Sequence, residues 1–224
     1  MVKITNQKFN HLKIHSQYSI CEGAIKIVDL KDFCKEKKIQ SVGISDSTNL
    51  CGALEFSENL SKVGSQPIIG TQINFKIENT IGLLPLIATS HQGYKKIIEL
   101  SSKSYLNNDT LSEPHLDISE LYENIEGVIV FSGTINGLIG QLFNNGKFNE
   151  INNIYQKLSL ILKDNFYIEI QRHNDLNESI FEKFNLKKSI DLKIPIIATN
   201  EVFYLNKTMH EAHDALTCIG SKTY

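Results

Sequence analysis

Arginine is almost missing from this 224-residue chain, whose basic side chains are 22 lysines and a single arginine, Arg172. The bidentate forks that read phosphates and guanines are therefore scarce. With 25 Asp and Glu against those 23 cations, the net charge of −2 lacks the basic footprint of a free-standing DNA-binding domain. Proline (4) and glycine (13) are too few for collagen or for a Pro/Gly-rich low-complexity chain. Cysteine is limited to Cys21, Cys34, Cys51 and Cys218 with no CxxC pair, so no disulfide framework is written here and a reducing cytoplasm is expected. The longest apolar run, Ile81–Ala88, falls far short of the roughly 18–20 residues of a membrane span. Met1–His11 has no apolar h-region, so no signal peptide is expected.

What is present is an alternation. Short apolar, β-rich runs occur at His11–Ser16, Ser41–Ser45, Pro67–Phe75, Leu83–Thr89, Gly127–Ser132, Phe166–Gln171 and Ile194–Thr199. Helical spacing fills most gaps between them. Ile27, Leu30 and Cys34 fall at i, i+3, i+7, and Leu50, Ala53, Leu54, Ser57 and Leu60 make a second stripe. Tyr94–Tyr105, Asn149–Leu162, Leu176–Leu192 and Thr208–Ile219 read the same way. Strands alternating with helices predict βα units and mostly parallel pairing in one α/β domain over residues 1–224. Val128-Ile129-Val130-Phe131 and Ile194–Ala198 are nearly all apolar, which predicts burial on both faces. Asn107–Pro114 is the best loop. Periodicity leaves a closed barrel and an open doubly wound sheet both standing. In either, a site is built at the carboxyl ends of the strands.

Those ends read His15-Ser16, Ser45-Asp46-Ser47, Thr71-Gln72, Ser132-Gly133-Thr134, Gln171-Arg172-His173 and Thr199-Asn200-Glu201. Two histidines and two carboxylates at four strand ends have the composition of a metal site, since imidazole and carboxylate suit Zn and Mn. The same residue types also cap helices, and Asp46-Ser47-Thr48-Asn49 before an apolar helical stripe is a sufficient N-cap run. His11 reads as structural and His91 as exposed or capping. His210 and His213 have metal-compatible i, i+3 spacing but no acidic or Cys partner, and are expected on a solvated face. Cys21 and Cys51 are expected as small apolar fillers.

An ordered series of motifs goes further. Phe9-Asn10-His11-Leu12-Lys13-Ile14-His15-Ser16 is followed by Glu22-Gly23-Ala24, Ser45-Asp46-Ser47-Thr48-Asn49, Pro67-Ile68-Ile69-Gly70, His91-Gln92-Gly93-Tyr94, Phe131-Ser132-Gly133, Glu169-Ile170-Gln171-Arg172-His173 and Ala198-Thr199-Asn200-Glu201. The series resembles the PHP (polymerase and histidinol phosphatase) domain that opens the alpha subunit of bacterial replicative DNA polymerase III. The resemblance implies a distorted (β/α)7 barrel, and intact members carry a trinuclear metal cluster on His, Asp, Glu and Cys ligands.

Carried onto this chain, the resemblance implies a vestigial metal site. His15, Glu22 and Glu201 keep metal-binding side chains, with Asp46 and His173 nearby. Lys13, Ser47, Gln72, Leu83, Thr134 and Phe203 stand where ligands are usual. A single weak divalent ion (Zn, Mn or Mg) on His15, Glu22 and Glu201 is the most this set offers. No catalytic residue is expected within the segment. The resemblance further implies a parent DNA-directed DNA polymerase using Mg, with residues 208–224 leading toward its next domain. It implies a partner in the epsilon-type 3′–5′ exonuclease subunit, and contact with other replicase subunits and DNA through the rest of that chain. The alternative is a stand-alone, metal-dependent phosphoesterase of the histidinol phosphatase kind.

Overall fold

In the computed structural model, residues 9–108, 112–123 and 125–223 are described. Chain order is β1 (Lys13–Ile14), α1 (Ile27–Lys37), β2 (Ser41–Ser47), α2 (Ala53–Lys62), β3 (Gln66–Ile77), β4 (Thr80–Ala88) and α3 (His91–Leu106). Then follow β5 (Leu116–Asp117), β6 (Val128–Phe131), α4 (Leu138–Asn144), α5 (Phe148–Leu162), β7 (Phe166–Ile170), α6 (Leu176–Leu192), β8 (Ile196–Ala198), β9 (Glu201–Val202) and α7 (His210–Ser221). The strands run β8-β7-β6-β4-β3-β2-β1-β9, with β5 paired beside β3. The two ends of that path, β8 and β9, are separated in sequence only by Thr199 and Asn200. The sheet therefore curls into a barrel whose first and last strands meet through the chain itself.

Pairing is parallel except at β4, which is antiparallel to both β3 and β6. The expected run of βα units breaks here for a geometric reason. Too few residues separate β3 from β4 for a parallel crossover, so they close as a hairpin with Glu78 at positive φ. β1 is shorter than the His11–Ser16 run. The two-residue β9 and the seven-residue, uncharged α4 lie outside every stretch that the sequence periodicity marks. Of the Asn107–Pro114 loop, residues 109–111 lie outside the described residues, as do residues 1–8 and Tyr224.

Helical stripes turn into packing much as the spacing implies. Ile27, Leu30 and Cys34 are all buried on α1. On α2 the buried set is Ala53, Phe56 and Leu60, and Leu54 points out to solvent. α3 starts at His91, which is exposed, and Ser90 is its N-cap, its side chain accepting from Gly93 N–H. Asp175 caps α6 by accepting from Asn177 and Glu178 N–H. The larger apolar core joins β3–β7 to α3–α6, and a smaller one joins β1 and β2 to α1 and α2. β6 is buried on both faces as expected, but β8 is not, with Ile196 and Ala198 exposed. No described helix is long and apolar enough to cross a membrane.

Candidate functional site

A period of two points alternate strand residues to one face. Lys13 and His15 thus face the barrel interior together, as do Glu169 and Gln171, and Glu201 and Phe203. β1 lies beside β9 in register, Lys13 opposite Glu201. Lys13 Nζ sits 2.9 Å from Glu201 Oε1 and 3.1 Å from Glu169 Oε1, with the lysine wholly buried. The ammonium is held there by charge more than by aligned hydrogen bonds. Around this centre Gln72 Nε2 donates to Glu201 Oε1 at 2.9 Å and lies 3.2 Å from His15 Nε2. His15 Nε2 is 3.5 Å from Glu201 Oε1, and its ring stacks on Phe203 at 4.4 Å. Gln171 Nε2 donates to Glu169 at 3.2 Å and to Thr199 Oγ1 at 2.9 Å, and the Thr199 hydroxyl donates to Glu169.

Asp46 belongs to a different knot. It accepts from Ser16 N–H at 2.6 Å, Ser16 Oγ–H at 2.8 Å and Ser19 Oγ–H at 2.9 Å. This overturns its reading as an N-cap: α2 begins at Ala53 after Gly52, seven positions away, and has no side-chain cap. Asp46 instead ties the loop after β1 to the end of β2. Gly23 lets that loop close, since a Cβ there would lie 2.0 Å from the Ser16 carbonyl oxygen.

Glu22 is exposed at the mouth and accepts from Ser47 Oγ–H at 2.6 Å. Leu83 lines the same mouth. His173 stands at the rim, 2.8 Å from both Glu178 Oε1 and Asn200 Oδ1. Thr134 lies in the turn that leads to α4, where its hydroxyl accepts from Asn136 N–H, and it lines a small cavity with Glu169 and Gln171. His213 is not on a solvated face: its Nε2 lies 2.7 Å from the Glu22 carbonyl oxygen and its ring stacks near Phe203. His210 is exposed. Cys51 is exposed and fills no apolar space, whereas Cys21 packs beneath Gly220 of α7.

The electrostatics follow these contacts. Burial disfavours the charged Lys13, but Glu169 and Glu201 outweigh it and hold the ammonium above its ordinary value. Burial likewise opposes ionisation of Glu201, yet hydrogen bonding with His15, the Lys13 charge and the Gln72 amide bring its carboxyl well below the usual range. Asp46 goes the other way: burial pushes it up, and the Ser16 hydroxyl and N–H, the Ser19 hydroxyl and the nearby His15 offset only part of that. His173 is raised, first by its bond to Glu178.

A divalent ion does not fit these residues as they stand. Glu169 and Glu201 already share a buried ammonium, Gln72 turns donor hydrogens toward His15 and Glu201, and Leu83 and Phe203 offer no donor atom. Among the described residues no three His, Cys, Asp or Glu side chains group as metal ligands. Two groups at this centre, Glu169 and Thr199, stand outside the ligand set that the resemblance implies, although a charged residue between Ile168 and Ile170 with Gln171 two positions on is a visible sign of an interior polar row.

Known proteins place this geometry in a lineage. The DNA polymerase III subunit alpha of Caulobacter vibrioides is 34% identical over 97% of this chain, which covers 20% of that protein. The subunit of the same description from Rickettsia felis is 35% identical over 96% of the chain and 18% of its own length. The chain thus spans about a fifth of the length of the curated relatives it matches, corresponding to their amino-terminal region. A solved structure described as a metal-dependent phosphoesterase from Bifidobacterium adolescentis shares the fold at 10% identity, with a TM-score of 0.53 over 88% of this chain and 89% of its own. The model of the PHP domain matches residues 11–173, from the approach to β1 through the His173 rim, and the chain belongs to that family.

Proposed function

We propose that this chain is the amino-terminal PHP barrel of a replicative polymerase alpha subunit. It is catalytically silent itself, and its folded surface docks an epsilon-type 3′–5′ exonuclease subunit. One observation carries the silent reading: Lys13 Nζ lies between Glu169 and Glu201 where a hydrolytic cluster would need a metal ion. A fixed ammonium neutralises the carboxylates but cannot acidify a water as a metal does. His15, Glu22 and Glu201 are then remnants of a metal site, and DNA synthesis belongs to the remainder of the polymerase, where carboxylates hold Mg²⁺. The docking reading is supported by similarity to polymerase subunits over nearly the whole chain. It is supported also by a barrel that keeps two packed apolar cores although its metal chemistry is degraded.

The purified protein is expected to hydrolyse neither phosphomonoesters nor phosphodiesters with Mn, Zn or Mg. Turnover that disappears in His15→Ala would replace this reading with the stand-alone phosphoesterase, which the open mouth beside His15, Glu22 and Glu201 would then serve. Calorimetric titration with the exonuclease subunit from the same genome should show binding that EDTA leaves unchanged within about 0.5 kcal/mol, against about 1.4 kcal/mol for a tenfold change.

A further inference from the structure

Two cavities open side by side at the barrel mouth. One, of about 250 Å³, lies over Gln72 and Glu201 below Phe203 and His213. The other, of about 230 Å³, lies between Ile20 and Tyr105 over Asn74 and Glu113. They share Glu22, Ser47 and Leu83 and so form one groove. Its rim is apolar and exposed among the described residues: Ile20 is 82% exposed and Tyr105 50% exposed. Large apolar side chains gathered at one concave site mark an interaction surface more often than isolated ones do.

Charge narrows the occupant. No Lys or Arg lines either cavity among the described residues. Glu22 and Glu113 both face the second cavity, and among the described residues each is matched by a neutral donor, Ser47 Oγ–H at 2.6 Å and Asn74 Nδ2–H at 2.9 Å. In the interior below, the same kind of carboxylate pair, Glu169 and Glu201, has its own ammonium. Phosphates of nucleic acid would be repelled by this lining, whereas a cation would find two acceptors without desolvating a competing one.

We infer that this groove docks an extended segment of a partner protein in which a Lys or Arg is flanked by apolar side chains. The cation lies toward Glu22 and Glu113, and its apolar neighbours rest on Ile20 and Tyr105. The inference rests on the docking reading above and gives that partner its seat. What was a catalytic mouth in metal-bearing barrels becomes a receptor for one basic side chain.

The test is titration of the exonuclease subunit from the same genome into this protein at its natural length. Four forms are compared: wild type, Glu22→Lys/Glu113→Lys, Tyr105→Ala, and Glu58→Lys as an exposed charge reversal on α2 outside the groove. The double reversal is expected to weaken binding by at least about tenfold, and added salt to weaken the wild type toward it. Tyr105→Ala should weaken binding by about threefold or more, and Glu58→Lys by less than about twofold. Both groove carboxylates are exposed, so folding should survive. Should the double variant unfold, Glu22→Gln and Glu113→Gln, which keep an acceptor oxygen for Ser47 and Asn74, are each expected to weaken binding about threefold. Wild-type binding that all groove variants retain would overturn the groove and leave the docking reading intact. No wild-type binding would overturn both.

Discussion

Glu201 and Asp46 are two carboxylates drawn out of water one strand to either side of β1, and they titrate in opposite directions. Both are buried enough for desolvation to be the largest influence. Glu201 meets His15, an ammonium at 2.9 Å and the Gln72 amide, and together they override burial. Asp46 meets two serines and one backbone N–H, and neutral donors do not compensate. Burial alone therefore does not set the state of an acid in this barrel; the sign of what it faces does. The lysine beneath the mouth is the residue that separates the two regions.

The largest effect expected from breaking that contrast is at Lys13 itself. Lys13→Met should cost about 3–5 kcal/mol in urea unfolding, because it leaves Glu169 buried without a counter-ion. Adding Glu169→Gln and Glu201→Gln to it should recover most of the loss, since a buried ion pair replaced as a unit by neutral groups is often nearly neutral. If Lys13→Met alone is as stable as wild type, the ammonium is not the counter-ion described. Asp46→Ala should cost less, about 2–3 kcal/mol, by stranding the Ser16 N–H and loosening the loop after β1.

Acid unfolding sharpens the comparison further. Glu201 has a folded value below its unfolded one, so its stabilisation is present above the ordinary carboxylate range and drains away as pH falls toward the folded value. Asp46 has a folded value above its unfolded one, so its contribution is full below the ordinary range and is lost as pH rises to the folded value. In urea midpoints measured from about pH 6 to pH 3, Glu201→Gln should flatten the acid-side loss and Asp46→Asn should steepen it. Equal slopes in the two variants would contradict the opposite shifts. The smallest effect expected is that of EDTA on the wild type, a change in unfolding free energy within about 0.5 kcal/mol.

Much of this was legible in the chain. Seven apolar runs mark the barrel strands because hydrophobic period is what burial selects, and Ile27, Leu30 and Cys34 went inside as spaced. The hairpin of β3 and β4 was written in the shortness of the link between them, a signal weaker than the apolar runs on either side. β9 is two residues long and α4 seven, too short for any period to register. Asp46 misled because Ser, Thr and Asn follow it, the company of a helix cap. Its real partners, Ser16 and Ser19, are some thirty residues upstream and reachable only through parallel pairing of β1 with β2. Lys13 could be marked as foreign to a cation site, but its double pairing required knowing that β7 and β9 converge on β1. The same holds for His213: only the tertiary fold brings the last helix back over the loop that carries Glu22.

The junction at Thr199 and Asn200 has a consequence for how the molecule is held shut. Between β8 and β9 the barrel wall contains no hydrogen-bonded ladder, since β8 pairs with β7 and β9 with β1. Its continuity across that line is a length of backbone, spanned inside by the Thr199 hydroxyl on Glu169 and by Lys13 reaching from Glu169 to Glu201. The wall behaves like a belt, with the chain as its strap and the ammonium as its buckle. Nicking the chain or moving its termini to Asn200 would let the two unpaired edges, β8 and β9, part from one another and become free to pair with a neighbour. The same cut in the Asn145–Gly146 turn between α4 and α5 would leave the belt fastened.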